Sequence, residues 1–409
     1  MTIETRCCIA GGGPAGMMLG FLLARAGVAV VVLEKHADFL RDFRGDTVHP
    51  STLDVMHELG LLDEFLALPH TEVRRLTGVI SGEPVTVADF AHVGTYCPFV
   101  ALMPQWDFLR FLAEHAKQYP TFRLFMQAQV TELIEDAGTI AGVRATTPDG
   151  PLEVRARLVV GADGRHSDVR ALAGLVVDDL GAPIDVLWMR LPRDPGDQRA
   201  VLGRFEAGHI LVMLDRGDYW QCAYVIAKGG FDDLKARGLD ALREGIVEVE
   251  PMLRDRVGEL RDWDDVKLLT VTVDRLRRWH RPGLLCIGDA AHAMSPIGGV
   301  GINLAIQDAV AAANILYAPL RAGTPSDADL ARVQRRRTFP VRVTQAVQVF
   351  VQNHVIRGVL ASTQPFTLPL PLRLLQWFPY LRRFPARAVG VGVRPEHVHT
   401  PEAAPPSPA

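Results

Sequence analysis

The spacing of apolar residues near the start of the chain predicts a β-α-β unit. An apolar run over residues 6–10 ends at Gly11, as a buried parallel strand would, and residues 14–26 have the composition of a helix that stops at Gly27. A β-branched run over 28–33 then supplies a second strand. Further buried strands are predicted over 152–160 and 284–287, and helices over 108–119 and from about Ile302. This order of elements is typical of the α/β class.

The pattern changes in the middle and last parts of the chain. Strand-like, turn-rich sequence fills 71–102, and alternation over 175–275 predicts antiparallel strands with a helical stretch near 232–260. Residues 330–395 contain eleven Arg but no Asp or Glu, and aromatic residues are interspersed among them. The final TPEAAPPSPA has little to bury, so we expect it to be disordered.

Composition and charge remove several classes of function. The chain has 409 residues, which is long enough for one large domain or two joined ones. With 44 Lys and Arg against 47 Asp and Glu, its net charge of -3 creates no field that would attract nucleic acid. The five cysteines include no C-x-x-C pair, which argues against a disulfide scaffold, a zinc site and a dithiol redox centre and is typical of a reducing cytosol.

A membrane span is not expected. The apolar stretch 7–33 carries only one charge, Arg25, but glycines at 11–13 and Pro14 interrupt it after a strand-length piece. The leading MTIETR contains Glu4 and is followed by no clean apolar block and cleavage site, so it makes a poor signal peptide. We therefore expect a cytoplasmic protein.

The turn between the first strand and the first helix has a nucleotide-binding pattern. Gly11, Gly13 and Gly16 make G-x-G-x-x-G, which permits a tight turn, close approach of the backbone to a pyrophosphate, and close helix–strand packing. The pyrophosphate would lie on the amides at the helix N-terminus. Glu34 ends the second strand, where an acid accepts hydrogen bonds from an adenosine ribose. The alternative is a glycine-rich turn without a ligand.

A second glycine-rich segment follows the strand at 284–287. Asp289 comes directly after that strand, where it either accepts hydrogen bonds from sugar-like hydroxyls or caps the following turn. Residues 296–301 form a glycine loop that opens the helix from Ile302. A helix N-terminus stabilises negative charge, such as that on the N1–C2=O edge of a reduced flavin.

Three segments together resemble the fingerprints of single-component FAD-dependent aromatic hydroxylases, the p-hydroxybenzoate hydroxylase-like family. They are GGGPAG with Glu34, GADGRHSDVR at 161–170, and GDAAHAMSPIGGVGIN at 288–303, and the resemblance runs from residue 5 to about 315. We accordingly divide the chain into a discontinuous Rossmann-like FAD-binding domain, a mixed or antiparallel β-sheet substrate domain, a basic, aromatic helical segment and a disordered tail. Their bounds are, in that order, 1–70 with 103–175 and 276–330, then 71–102 with 176–275, then 331–395, and last 396–409.

Carried over residue by residue, the resemblance implies a cofactor site. Glu34 would bind the adenosine ribose and Asp289 the ribitol, and Lys35 is also assigned to the cofactor site. Arg44, in FRGDTVHPSTL, resembles an arginine that reaches FAD, or forms a surface salt bridge instead. Gln105, in MPQWDFL, resembles a flavin-contacting glutamine, or is simply a polar residue at a helix start. Asp163 lies in the family's shared FAD and NAD(P)H motif. The pyrophosphate would lie against Gly11, Gly13, Pro14, Ala15 and Gly16, and the flavin ring against Pro296, Gly298, Gly299, Gly301, Ile302 and Asn303.

The resemblance also implies the chemistry. One FAD is bound tightly and non-covalently, NAD(P)H visits transiently to deliver hydride, and dioxygen adds at flavin C4a to give a hydroperoxide that transfers oxygen to an electron-rich ring. The result is hydroxylation or epoxidation, and NADH and NADPH both remain open. No metal is needed, and no side chain is assigned a catalytic role beyond the flavin-edge loop. His292 is interpreted as part of the family turn, with a general base as the alternative.

The expected substrate is a neutral lipophilic ring such as a quinone, quinolone or polyketide. The middle strands carry no cluster of Arg or Lys that would require a carboxylate. The basic, aromatic stretch 363–390 either contacts an anionic membrane weakly or, as we favour, caps the fold. Large side chains that could line the pocket, although core packing is favoured for each alone, are Tyr96, Phe99, Met103, Trp188, Met189, Met213, Tyr219, Trp220 and Tyr224.

Other classes are weighed against specific residues. Flavin halogenases carry a W-x-W-x-I-P signature, which the segment 220–226 lacks, and disulfide reductases need a cysteine pair beside the flavin. A reductase of a prenyl or quinone-type substrate, without oxygen insertion, is the alternative function. A non-catalytic binding protein on the same scaffold is a further alternative, against which the intact Asp289 loop argues.

Overall fold

The computed structural model describes residues 1–40, 47–197, 202–364 and 367–403. Its strands are β1 (Thr2–Ala10), β2 (Val30–Leu33), β3 (Thr47–Val48), β4 (Thr71–Val73), β5 (Arg75–Ile80), β6 (Glu83–Asp89), β7 (Val100–Leu102), β8 (Phe122–Phe125), β9 (Gln129–Asp136), β10 (Thr139–Thr147), β11 (Gly150–Gly161), β12 (Val177–Asp179), β13 (Ile184–Pro192), β14 (Leu202–Glu206), β15 (His209–Asp215), β16 (Tyr219–Ala227), β17 (Lys267–Leu269), β18 (Asp274–Leu276), β19 (His280–Arg281) and β20 (Leu284–Cys286). Its helices are α1 (Pro14–Arg25), α2 (Pro50–Glu58), α3 (Leu62–Leu66), α4 (Gln105–Lys117), α5 (Asp168–Leu172), α6 (Phe231–Arg237), α7 (Leu239–Val249), α8 (Gly301–Ala322), α9 (Asp327–Val351), α10 (Arg357–Ala361), α11 (Leu370–Trp377) and α12 (Arg383–Gly390).

The first large sheet is built around the β1-α1-β2 unit. Its strand order is β19-β20-β11-β1-β2-β8, and β1 pairs in parallel with both β11 and β2. The antiparallel strands β9 and β10 extend from β11. All four residues of β2 are buried, as a strand covered on both faces requires. The predicted α/β class is confirmed.

The second large sheet comes from two separate parts of the sequence. Its order is β17-β13-β16-β15-β14-β5-β6, and its pairs are antiparallel except for the parallel pair β14 and β5. Smaller sheets join β3, β7 and β4, and β12 with β18. On β16 the side chains alternate: Trp220 and Cys222 pack with Leu242 and Ile246 of α7, whereas Ala223 and Val225 pack in a separate cluster with Ile356 and Val359.

Helix α8 is the central helix of the first domain. The segment Ile297–Ala322 is long and apolar enough to cross a membrane by composition, but 78% of its apolar window is buried inside the fold. Its residues Ile306, Ala309 and Val310 are fully buried in the same core as β1 and α1. The apolar character of this helix is therefore accounted for by core packing.

The chain after α9 corrects one expectation. We predicted disorder from residue 396, but 396–403 run back along the first domain. The Glu396 side chain pairs with Arg336 at 2.6 Å, and Arg25 donates to the Thr400 carbonyl at 3.1 Å and to Glu402 at 3.1 Å. Backbone hydrogen bonds and ion pairs hold this segment in place, which its low hydrophobicity did not indicate. The remainder of the predicted tail lies outside the described residues.

Candidate functional site

A cavity of about 710 Å³ lies between the two large sheets. Ala10 and Leu33, at the carboxyl ends of β1 and β2, line one end of it, together with Ala162 just after β11. Its other end is walled by the inner face of the second sheet. In open α/β sheets, ligands bind in the crevice beyond the carboxyl ends of the strands. The cavity is therefore the candidate site.

The first glycine turn forms the floor of this cavity. A Cβ on Gly11, whose φ is +107°, would lie 2.3 Å from the Ala162 carbonyl oxygen, and a Cβ on Gly16 would lie 1.9 Å from the Gly11 carbonyl oxygen. Backbone packing therefore requires glycine at both positions. At Gly13 a Cβ would meet no atom within 4 Å. Gly13 is the N-cap of α1 and lines the cavity with Pro14 and Ala15, so open space adjoins the positive end of this helix.

Glu34 is held against the glycine turn. Its side chain is buried, with Oε2 accepting a hydrogen bond from the Gly12 amide at 2.9 Å and Oε1 accepting one from the His36 amide at 2.9 Å. The ring Nδ1 of His36 lies 2.6 Å from the same Oε1. Lys35 is exposed at the rim of the cavity. The carboxylate is thus fixed at the end of β2, on the cavity wall.

Asp163 fastens its own turn. Its Oδ1 accepts from the Ser167 hydroxyl at 2.5 Å and its Oδ2 from the Val169 amide at 3.0 Å. Burial raises the pKa of Asp163 above its usual value, although these hydrogen bonds oppose the shift. The carboxylate borders the cavity while its oxygens serve the start of α5.

Asp289 faces the cavity. The short 3₁₀ turn Gly288–Ala290 has Ile287 as its N-cap and no side-chain cap hydrogen bond. The Asp289 carboxylate keeps 30% of its surface exposed and lies 3.6 Å from the guanidinium of Arg165. The capping alternative for Asp289 therefore does not describe this turn, and its carboxylate is available to a ligand.

Residues of the loop 296–301 line the cavity. Gly298 and Gly299 have φ of +77° and +63°, a conformation that favours glycine. The Gly299 carbonyl accepts a hydrogen bond from the Thr47 hydroxyl at 2.9 Å, and a Cβ on Gly299 would lie 2.5 Å from the Thr47 hydroxyl oxygen. Pro296, Gly301 and Ile302 also line the cavity. The loop leads into the N-terminus of α8, where the helix dipole stabilises negative charge.

Side chains of the last long helix hold this loop. Gln348 of α9 accepts from the Ser295 amide at 3.2 Å and donates to the carbonyls of Ser295 at 3.0 Å and Ile297 at 2.9 Å. Gln352 donates to the Ser295 hydroxyl at 2.7 Å. Because both glutamines are buried, their hydrogen bonds to the start of the loop are shielded from water.

Two cavity-lining residues begin nearby helices. Gln105 is the first residue of α4 and is 9% exposed, so the structure places it both at a helix start and on the cavity wall. His49 precedes α2, and its Nδ1 donates to the Val389 carbonyl at 2.8 Å. Burial lowers the pKa of His49 to about 4, although this hydrogen bond opposes the shift. The imidazole at the cavity wall is therefore neutral near pH 7.

Two predicted site residues do not line the cavity, and a third is not among the described residues. Asn303 does not line the cavity, because its Oδ1 accepts from the His49 amide at 3.0 Å and the Thr52 hydroxyl at 2.7 Å and so ties α8 to α2. Gly16 likewise lies behind the turn, in the contact between α1 and β1. Arg44 lies outside the described residues. The expectation that Asn303 lines the flavin ring is thus corrected.

His292 belongs to a buried charge cluster. Its Nε2 lies 2.5 Å from Asp308 Oδ2, while Asp308 Oδ1 accepts from Arg337 Nε at 2.8 Å. Arg337 Nη1 also lies 3.3 Å from Glu396. Asp308 also accepts a hydrogen bond from the Gly288 amide at 3.0 Å. This bond holds the backbone of the residue that precedes Asp289. His292 is 1% exposed and does not line the cavity, so the turn interpretation fits its position better than a general base.

The second sheet makes one end of the cavity an apolar chamber. Of the large side chains considered from the sequence, only Trp188 lines it among the described residues. Met189, Met213, Trp220 and Tyr224 lie on the opposite face of the sheet, in the core with α7. Phe99 and Met103 are in the core of the first domain, Tyr96 is 63% exposed, and Tyr219 packs under Arg190. The chamber lining is instead mostly aliphatic: Leu76, Ile184, Val186, Phe205, Ile210, Val212, Leu214, Ala223, Val225 and Leu269.

Sequence reasoning missed several cavity residues. Thr47 and His49 lie in FRGDTVHPSTL, where the resemblance pointed to Arg44 and to neither of these two residues. Gln221 was visible as a lone amide in the strand Tyr219–Ala227. A polar residue within an apolar strand is a signal for a site, and it was not used.

Comparison with known proteins identifies relatives of this chain. A family model described as an FAD binding domain matches residues 4–347. The 6-methylpretetramide 4-monooxygenase of Streptomyces rimosus is 34% identical over 385 residues, which cover 93% of this chain and 92% of that protein. The rifampicin monooxygenase of Streptomyces venezuelae is 29% identical over 308 residues, which cover 74% of this chain but only 61% of that longer protein.

A solved structure shares the architecture. The crystal structure of PqsL from Pseudomonas aeruginosa in complex with 2-aminobenzoylacetate superposes with a TM-score of 0.74. The two sequences are 25% identical, and the match covers 87% of this chain and 98% of that one. The arrangement of the two large sheets is therefore shared with a solved protein of similar extent.

Proposed function

Because the chain belongs to the FAD-binding family of aromatic monooxygenases, we propose that it uses NAD(P)H and dioxygen to hydroxylate or epoxidise a lipophilic aromatic substrate. The observation that carries this proposal is a cavity, formed by described residues, that extends from the glycine turn at α1, past the loop 296–301, into an aliphatic chamber. One half of the cavity is polar and suits a nucleotide, and the other half is apolar. Such a cavity suits a cofactor that reacts with a lipophilic ring where the two halves meet.

The residues present fit FAD. Gly13 leaves open space at the N-terminus of α1 for a pyrophosphate, where backbone amides and the helix dipole favour an anion. In this proposal the fixed carboxylate of Glu34 would accept hydrogen bonds from an adenosine ribose, and that of Asp289 from ribitol hydroxyls. When bound, FAD would supply the redox chemistry that activates dioxygen.

The chain's own groups have three tasks in the reaction. The loop with Gly298 and Gly299 presents backbone and the positive end of α8 to the junction, where they stabilise negative charge. The aliphatic chamber excludes water and holds the substrate ring at that junction. His49 contributes a neutral imidazole rather than a charge, because burial lowers its pKa to about 4.

The first experiment measures coupling in the FAD-loaded protein. NAD(P)H oxidation, oxygen uptake and peroxide release are followed with a panel of phenols, quinones and quinolones. A ligand that speeds NAD(P)H oxidation while lowering the peroxide yield supports oxygen insertion. Bound FAD with reduction of a quinone-type ligand but no oxygen uptake supports the alternative reductase function instead.

A second experiment tests the cofactor position. Gly13→Ala adds a methyl that meets no protein atom within 4 Å, so the apo-protein should keep its stability while FAD affinity falls at least tenfold, by about 1.4 kcal/mol. Gly258→Ala is the matched control, because a Cβ there also meets no atom and Gly258 does not line the cavity. Equal FAD affinity in the two variants would contradict the proposed pyrophosphate position.

We also propose a cytoplasmic location with weak contact to anionic membrane surfaces through 363–390. Trp377, Phe378, Tyr380 and Phe384 are each more than half exposed, and Arg383 stacks on Tyr380 at 3.6 Å. Basic amphipathic surfaces with exposed aromatics bind anionic lipid. The capping role that we favoured from the sequence is compatible, because Ala386 and Gly390 of α12 are buried and α12 packs on Phe90.

A further inference from the structure

Gln221 is a buried polar side chain in the wall of the apolar chamber. It lies on β16 and is 3% exposed, and it faces the cavity together with Ala223 and Val225, two and four residues along the strand. Its cross-strand neighbour on β15 is Leu214. Among the described chamber residues contributed by the second sheet, every other one is aliphatic or aromatic. A lone amide in such a wall costs free energy unless its polar atoms find partners.

One neighbour fixes which way the amide points. Arg216 Nε donates a hydrogen bond to Gln221 Oε1 at 2.9 Å. A guanidinium can only donate, so the atom facing it must be the oxygen and the NH₂ group must face away from it. Within the described part of the chain, Gln221 Nε2 donates no hydrogen bond, although the residue is buried. The guanidinium also polarises the amide and strengthens its remaining donors.

This arrangement selects a particular ligand chemistry. A hydrogen-bond donor in an apolar wall favours the binding of a ligand that places one oxygen acceptor against the donor and apolar surface against the rest of the wall. The second sheet contributes no charged side chain to the described lining, so the ligand needs no opposite charge there.

We propose that Gln221 determines substrate specificity by donating a hydrogen bond to a carbonyl or phenolic oxygen of a neutral polycyclic substrate. The proposal rests on the proposed function for the identity of the reaction, but its binding step needs only the chamber. In this role Arg216 is a positioning residue, because it acts on the substrate through Gln221.

The experiment compares two tricyclic probes that differ in one oxygen. Binding of 9-fluorenone, which has a carbonyl, and fluorene, which has none, is titrated with the FAD-loaded protein and with Gln221→Leu. In the wild-type protein we expect fluorenone to bind about tenfold more tightly than fluorene, and we expect the variant to bind the two about equally. Val212→Ala is the matched control, since it removes apolar wall on the same face and should weaken both probes by the same factor.

A second variant reverses the hydrogen bond. Gln221→Glu keeps an oxygen towards Arg216 but turns the donor into an acceptor, so it should bind fluorenone more weakly than wild type and favour 9-hydroxyfluorene over fluorenone. A merely structural role would move all probes together. An unchanged fluorenone-to-fluorene ratio in Gln221→Leu, or failure of the wild-type protein to bind fluorenone, overturns the proposal.

The outcomes also separate this inference from the proposed function. Oxygen uptake and NAD(P)H oxidation report on the reaction, while the probe ratio reports on Gln221 alone. Coupled oxygen insertion with an unchanged ratio leaves the monooxygenase and removes the role of Gln221. A ratio that depends on Gln221 in a protein that consumes no oxygen keeps the recognition site and removes the monooxygenase.

Discussion

Replacing Arg337 with methionine tests the buried cluster that supports the Asp289 turn. Asp308 is fully buried and its two oxygens accept from His292, Arg337 and the Gly288 amide. Burial alone would raise the pKa of Asp308, but His292 and Arg337 hold it below its usual value. Arg337→Met fills much of the same space with hydrocarbon yet removes the cation, leaving a buried carboxylate with one fewer partner.

The size of the effect follows from this burial. Breaking a buried ion pair by removing one partner costs about 3–5 kcal/mol. For a chain of 409 residues the entropy of unfolding is about 0.9 kcal/mol per kelvin, so the midpoint of thermal unfolding should fall by about 3–6 °C. The assay is thermal unfolding of the apo-protein followed by circular dichroism, so that ligand binding does not contribute.

The neighbouring arginine supplies the control. Arg336 shares Glu396 with Arg337 and lies on the same helix, but its side chain is 38% exposed. Arg336→Met should therefore cost no more than about 1 kcal/mol, or about 1 °C. If both variants shift the midpoint equally, burial of the cluster does not determine its contribution and the reasoning is refuted.

Three further outcomes are expected. Because the folded protein lowers the pKa of His49 from 6.5 to about 4, the unfolded state binds the proton more readily. The stability that is present above pH 6.5 should therefore fall by up to about 3 kcal/mol as the pH drops to about 4. The variant His49→Gln should flatten this pH dependence in urea titrations. Gly16→Ala, whose Cβ would lie 1.9 Å from the Gly11 carbonyl, should lose at least about 2 kcal/mol of stability even without FAD, and an unchanged unfolding midpoint would exclude the packing role. Flotation with anionic vesicles, but not with neutral ones, should carry the wild-type protein, and the double variant Trp377→Ser with Phe378→Ser should lose it; equal flotation of both proteins would remove the proposed membrane contact.

The local signals of the first domain were strong enough to predict its core. The β1-α1-β2 unit depends on a strand-length apolar run and a glycine turn, both of which act within about 30 residues of sequence. The same holds for the loop with Gly298 and Gly299, where positive φ demands glycine. Such features depend on which residues the local backbone conformation permits, so they can be predicted from the local sequence pattern.

The lining of the chamber could not be predicted in the same way. In β13 both Val186 and Leu187 are apolar, so alternation does not say which face borders the cavity and which packs on α7. Aromatic side chains were candidates for the chamber lining, with core packing favoured for each alone, and Trp220 and Tyr224 of β16 lie in the core on the helix-covered face. Asn303 fits the family motif, but its partners His49 and Thr52 are about 250 residues away in sequence, and only the fold brings them together.

The path of residues 396–403 has a consequence for how the protein matures. Arg25, in the first helix, binds a carbonyl 375 positions later in the chain, and Arg337 links Asp308 to Glu396. During synthesis the ribosome releases the N-terminal βαβ unit long before the residues that finally cover it. Closing such distant contacts is a slow, late event, because the loop entropy must be overcome before any contact forms. A nascent chain halted before residue 396 would already have formed the glycine turn at 11–16. The cluster of Asp308 and Arg337, which supports the Asp289 turn, would still lack its ion pair with Glu396.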